Sequence, residues 1–110
     1  MKKKEDKIYL ERIIEAIDQA EEHLLGFNFR MFEYEKKTYD AVLMQLVNIG
    51  EMVNRLSEDF REGHSNFPWQ EAVGMRNQIA HGYFDIDVKE VWKTATKDLP
   101  ILKEQIKKLL

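Results

Sequence analysis

The stretch Thr38-Tyr39-Asp40-Ala41-Val42-Leu43-Met44-Gln45-Leu46-Val47-Asn48-Ile49-Gly50-Glu51-Met52-Val53-Asn54-Arg55-Leu56 decides the fold. Tyr39, Val42, Leu43, Leu46, Ile49, Val53 and Leu56 recur with the helical period and form one apolar stripe. Met44, Val47 and, just ahead of them, Tyr34 lie off that stripe. A helix apolar on more than one face is covered on more than one side, and for a bundle this small a second subunit is the favoured cover. Gly50 within the helix costs about 1 kcal/mol relative to alanine, so close approach of another helix is the expected compensation.

Working outward, Leu10, Ile13, Ile14, Ile17, Ala20 and Leu24 carry the same period towards the N-terminus, and Gly26 offers a stop. Asn28-Phe29-Arg30-Met31-Phe32 reads as a turn or short helix. On the other side, His64-Ser65-Asn66 is a polar break. Pro68 then suits the start of a helix through Trp69, Val73 and Met75 towards Ala80, and Gly82 stands where a helix C-terminal glycine belongs. Asp87 and Glu90 are spaced as a capping box for a last helix. Val88, Val91, Trp92, Ala95, Leu99, Leu102 and Ile106 form its apolar side, and Pro100 should kink or split it. No repeat and no strand-period segment of useful length appears. The expected architecture is all-α: one domain over residues 1–110, an antiparallel bundle of four to five helices, assembled as a homodimer.

The hydrophobic share of 44% and charged share of 34% fit a folded, helix-rich chain. A net charge of −3 gives no global basic field, so a nucleic acid would have to be held by a local pocket. With no cysteine there is neither disulfide nor thiolate metal site, and three scattered histidines give no metal-ligand spacing. Neither a metal nor a cofactor is expected. Met1-Lys2-Lys3-Lys4 is basic without a following apolar signal core, and no run approaches a membrane span. The expectation is a cytoplasmic protein with a solvated basic end and no membrane partner.

Chemistry concentrates in Arg76-Asn77-Gln78-Ile79-Ala80-His81-Gly82-Tyr83. Asn77 and His81 share a helix face, whereas Arg76 and His81 stand roughly 140° out of phase. Arginine is long enough to curl round, so the polar groups can converge on one cleft edge, with a second subunit supplying the rest. Arginine can stabilise charge on a phosphorane, and histidine can move the proton of a ribose 2′-OH. Such a reaction cuts RNA and spares DNA. Asn77 would position a phosphate oxygen or the imidazole, and Tyr83 would contact substrate or cap the pocket. Glu51 either is solvated or faces the cleft and orients Arg76. The bland alternative makes Arg76 and Asn77 partners of a neighbouring helix end and His81 a helix cap. His23 and His64 read as surface residues, and Trp69 and Trp92 as core anchors rather than base-stacking platforms.

An ordered set of segments carries a family resemblance: Ile49-Gly50-Glu51, Phe67-Pro68-Trp69, Gly74-Met75-Arg76-Asn77, Ile79 to Asp87, Val91-Trp92 and Leu99-Pro100. From about Tyr9 onward the chain resembles the HepT-like (DUF86) branch of the HEPN superfamily, the toxin half of type VII toxin–antitoxin pairs. The resemblance implies an all-helical homodimer and a metal-independent ribonuclease whose Arg-x4-His motifs meet in one cleft. Arg76 and His81 match the catalytic pair, and Asn77 the polar residue that accompanies it. Tyr83 matches the tyrosine that a cognate minimal nucleotidyltransferase antitoxin modifies with AMP, adding charge and bulk at the cleft mouth. Two other functions compete with the ribonuclease. One is a non-catalytic binding or substrate-presenting partner of a nucleotidyltransferase. The other is a structural dimer whose motif only caps a helix.

Overall fold

The first helix owes its length to one uninterrupted apolar face. The computed structural model describes residues 2–110, with side chains from Glu5 onward, so the basic opening lies outside the described side chains. Helix α1 runs Lys2–His23 and buries Leu10, Ile13, Ile17 and Ala20. It ends in a turn through Gly26, whose φ of +79° is the left-handed conformation that glycine adopts without a Cβ penalty. Asn28 then opens α2, Phe29–Tyr34, its side-chain oxygen accepting the Met31 N–H at 2.9 Å.

Helix α3, Lys36–Arg55, starts two residues before Thr38, where the sequence places its beginning, because Glu35 caps it. The Glu35 carboxylate accepts the Thr38 N–H at 2.9 Å and also the Thr38 hydroxyl. The hydroxyl bond first, and then the backbone bond, hold that carboxyl below the usual range. Along α3, Val42, Leu43, Leu46, Ile49, Gly50 and Val53 are buried.

A short helix α4, Glu58–Gly63, follows, capped by the Ser57 hydroxyl on the Phe60 N–H at 3.2 Å. Periodicity does not reveal it, since Phe60 is the lone large apolar residue in its single turn and a half. Its signature is the Ser57 cap followed by Glu58 and Asp59 in the first turn. Helix α5 spans Trp69–His81 and α6 spans Val88–Lys93; α7 spans Leu99–Leu109. Pro100 acts as its chemistry demands. Between α6 and α7, Thr94–Asp98 widens into a π-turn, with the Leu99 N–H reaching back to the Thr94 carbonyl. The Thr96 hydroxyl donates to the Trp92 carbonyl at 2.6 Å within this irregular turn. Asp87 caps α6 through the Lys89 N–H at 2.9 Å, one position before the Glu90 N–H that the expected box would use, so the cap is present without the box.

Hydrogen bonds fix the helix directions. Asp6 near the start of α1 accepts both the Ser57 N–H and the Ser57 hydroxyl, each at 2.8 Å, just beyond the end of α3. The two long helices therefore run antiparallel. Tyr83, just past the end of α5, meets Asp40 near the start of α3, so α5 is antiparallel to α3 as well. Lys103 of α7 binds Asp18 at 2.7 Å and Glu21 at 2.8 Å on α1. No strand occurs among the described residues, and the bundle measures 44 × 28 × 20 Å. None of these helices is long and apolar enough to cross a membrane.

The core gathers Ile13, Ile17, Phe32, Ile49, Val53, Leu99, Leu102 and Ile106, all fully buried. Trp69 is buried and its indole N–H donates to the His64 carbonyl at 2.9 Å, while Trp92 packs on Phe32 at 5.2 Å. Met44 and Tyr34, off the α3 stripe, remain exposed on the single chain, at 60% and 80%.

Candidate active site

Gly50 is where the site begins. A Cβ there would lie 2.3 Å from Arg76 Cβ and 3.0 Å from the Ala72 carbonyl oxygen, far inside contact distance. Only a residue without a side chain lets α5 cross α3 this closely, which is the compensation that Gly50 in a helix called for. The stem of Arg76 is therefore pressed onto α3, and its Nε is buried without a hydrogen-bond partner.

The next residue of α3 holds the other end of the arginine. Glu51 Oε1 stands 3.6 Å from Arg76 Nη2, with both side chains partly exposed. Arg76 Nη1 donates to the side-chain oxygen of exposed Asn77 at 3.1 Å, a bond that does not use the Asn77 amide N–H groups. Gly50, Glu51, Arg76 and Asn77 thus form one assembly across two helices. It fixes a guanidinium at the protein surface without neutralising it in a tight fork.

His81 is exposed on the last turn of α5 and makes no hydrogen bond to Arg76, Asn77 or Glu51 within the chain. The helix stays regular through His81 and ends at Gly82, where the sequence places a C-terminal glycine. Gly82 caps α5 through its N–H to the Gln78 carbonyl at 3.2 Å. Its backbone is extended, at φ −176°, a conformation any residue adopts. Within one chain, then, Arg76 and Asn77 come together with Glu51, and exposed His81 takes no part in their hydrogen bonds.

A short 3-10 turn, Tyr83–Asp85, follows. The Tyr83 hydroxyl donates to Asp40 Oδ1 at 2.6 Å and is also bonded to the ammonium of Lys36. That ammonium lies 4.5 Å from the centre of the Tyr83 ring and 3.8 Å from the second Asp40 oxygen. Tyr39 meets the same ring edge-on at 6.3 Å. Phe84, at the tip, is 94% exposed.

Sequence reasoning named Tyr83 but missed Lys36 and Asp40. The signal available was weak: an i, i+4 Lys–Asp pair, the commonest decoration of any solvated helix. His64 corrects a second expectation. It is no surface residue of a polar loop but is half-buried, bonded through Nδ1 to the Phe60 carbonyl at 2.9 Å and flanked by Phe60 and Phe67. Those aromatic neighbours arrive from both sides of the loop and dry the ring.

Comparison with known proteins accords with this construction. The family model described as "Ribonuclease HepT-like" matches residues 13–109, a span that includes Gly50, Glu51, Arg76, His81 and Tyr83. A protein of Thermococcus cleftensis named "Probable ribonuclease HepT" is 41% identical over 107 residues, 97% of each chain. A "Putative RNase" of Caldanaerobacter subterraneus is 36% identical over 102 residues, 93% of this chain and 91% of its own. A third relative, "Gamma-glutamylcyclotransferase and putative RNase" of Methanocaldococcus jannaschii, is 36% identical over 108 residues but is matched over only 49% of its length. No solved structure matches the chain with comparable significance. Coverage of nearly the whole chain at this identity means that the protein belongs to the ribonuclease HepT-like family.

Proposed function

We propose that the protein is a metal-independent endoribonuclease, the toxin of a type VII toxin–antitoxin pair, with residues 1–110 acting as one domain in the cytoplasm. The ribose 2′-oxygen attacks the adjacent phosphorus and the bond to the 5′-oxygen breaks, leaving a 2′,3′-cyclic phosphate and a 5′-hydroxyl. His81 takes the 2′-hydroxyl proton or delivers one to the departing oxygen. Arg76, oriented by Glu51, stabilises the charge that develops on the phosphorane, and Asn77 holds a phosphate oxygen through its free amide. A homodimer brings two such sets to one cleft. A nucleotidyltransferase antitoxin silences the site by placing AMP on Tyr83, whose charge and bulk then oppose entry of RNA.

One observation carries this reading: Arg76 is seated on Gly50 and braced by Glu51, with an unengaged imidazole further along the same helix. That is a fixed cation and an uncommitted proton carrier on one helix, the two groups this reaction needs. A specific feature favours the second reading, a non-catalytic partner of a nucleotidyltransferase. No hydrogen bond joins Arg76 to His81 within one chain, so a monomer holds no bonded pair.

Total RNA and a chimaeric oligonucleotide with a single ribonucleotide, incubated with purified protein in EDTA, separate the two. Cleavage only at the ribonucleotide, with cyclic phosphate ends, is the expected result. Intact RNA after incubation with a folded, unmodified dimer would leave the binding partner. Sedimentation at micromolar concentration should show a dimer, and a stable monomer would remove the composite cleft.

A further inference from the structure

The phenol of Tyr83 is not simply exposed, as a tag-bearing tyrosine need be. It is built into a polar cluster that the ribonuclease chemistry does not use. Its proton is directed at the Asp40 carboxylate at 2.6 Å, and its oxygen is bonded to the Lys36 ammonium. Lys36 and Asp40 are 70% and 47% exposed, so a second protein can reach both. They sit one helical turn apart at the start of α3, on the element that Tyr83 itself docks against.

We infer that Lys36, Asp40 and Tyr83 form a built-in acceptor site for group transfer, in which Asp40 takes the phenolic proton and Lys36 holds a phosphate oxygen of the incoming nucleotide. The inference rests on the proposed modification of Tyr83 and assigns the residues that would perform this chain's share of it. The donor is a nucleoside triphosphate bound by the partner enzyme. The Tyr83 oxygen forms a bond to the α-phosphorus, the bond from that phosphorus to the bridging oxygen of the β-phosphate breaks, and pyrophosphate departs. The phenolic proton passes to the carboxylate it already faces, so no free phenolate is needed. Lys36 is fit for its part: its bond to Tyr83 first, and then the Asp40 charge, raise its pKa above the ordinary lysine range. It therefore stays cationic wherever the transfer runs. Once the oxygen carries a nucleotide it has no proton for Asp40, and the new phosphate lies beside the ammonium.

The surrounding titratable groups are Lys36, Tyr39 and Asp40 from α3, and Asp85 and Asp87 from the segment that carries Tyr83. Of these, only Asp40 accepts the phenolic proton.

A small electrophile tests the proton transfer without any partner. Purified protein is treated with N-acetylimidazole from about pH 7 to about pH 9, and acetylation of Tyr83 is read by peptide mass spectrometry against exposed Tyr34 in the same sample. An ordinary exposed phenol reacts through its phenolate, so its rate falls about tenfold per pH unit below its pKa. With Asp40 accepting the proton, Tyr83 loses little rate, and the Tyr83-to-Tyr34 ratio rises as pH falls. In Asp40→Asn, which keeps an acceptor oxygen but cannot take a proton, the ratio should be flat. Asp40→Glu should restore the rise, whereas a cluster that only anchors the turn would give a flat ratio in all three proteins. A flat wild-type ratio, or equal slopes in wild type and Asp40→Asn, overturns the assignment of Asp40. A second arm adds ATP, magnesium and a purified minimal nucleotidyltransferase. Loss of AMP transfer in Asp40→Asn, and a weakened ATP dependence in Lys36→Gln, complete the support. A wild-type Tyr83 that shows the pH slope yet gains no AMP would sink the modification reading alone.

Discussion

The two flanks of α3 are built on opposite terms. Towards α1, and α7 packed upon α1, the side is closed: Ile13, Ile17, Ile49, Leu102 and Ile106 have no exposed surface. Asp6 spends both carboxylate oxygens on Ser57, and Lys103 bridges Asp18 and Glu21. Against α5 the same helix carries a strained-looking economy: a glycine where a side chain would overlap, an arginine with an orphaned Nε, and then a histidine left unengaged. Arg61 Nε and Gln105 Oε1 are also buried without partners, so what sets the α5 side apart is the close crossing at Gly50 together with the partly exposed guanidinium. Trp69, Ala72 and Met75 of α5 are buried in the core as well, so the lesson is an uneven partition: α3 is packed on both sides, and the α5 side alone also carries the candidate reactive groups.

Substitutions on the two flanks should therefore fail in different ways. The largest effect is expected from His81→Ala, which should lower RNA cleavage by about 100-fold to 10,000-fold, the usual worth of an acid–base group. Its melting temperature should stay near wild type, because His81 is exposed. Ile49→Ala, on the closed flank, should cost about 2–5 kcal/mol in denaturant unfolding through the cavity it leaves. Gly50→Ala breaks the partition itself. Its methyl group must displace Arg76, so both a loss of about 1–3 kcal/mol and a fall in cleavage are expected. A Gly50→Ala protein with full stability and full activity would show that the close crossing is dispensable.

Asp6→Ala should cost about 2 kcal/mol, since it leaves the Ser57 donors without their acceptor and loosens the start of α4. The smallest effect concerns pH. The folded-state pKa of Glu35 is depressed by the Thr38 hydroxyl and N–H, so its contribution is fully present above the ordinary carboxylate range. It is lost as pH falls through the lowered value. Acid should therefore fray the first turn of α3 early, visible as faster amide exchange near Thr38, and Glu35→Gln should remove that dependence.

The partition was unevenly legible in the sequence. The closed flank was written in periodicity, because burial of a continuous face forces apolar residues to recur with the helical turn. Leu10 through Leu24 and Val42 through Leu56 needed nothing more. The Pro100 break was legible from covalent chemistry, since a missing N–H and a clashing ring act wherever proline stands. Helix α4 was hidden because a helix this short shows no period, and its cap residues resemble any polar loop. At the site, Gly50 announced a close crossing but not its partner, which depends on how α5 lies across α3. Lys36 and Asp40 were invisible as partners of Tyr83, because a contact across more than forty positions is set by the antiparallel return of α5 and leaves no local trace.

The central claim is that the chemistry lies on the α5 flank of α3 and can be removed there without loss of folding. Its most direct test is to measure, on the same preparations, EDTA-resistant cleavage of RNA and thermal unfolding for wild type and His81→Ala. The account predicts cleavage by wild type alone and superimposable melting curves. Equal cleavage by both proteins, or a His81→Ala protein whose lost activity tracks lost folding, would contradict it.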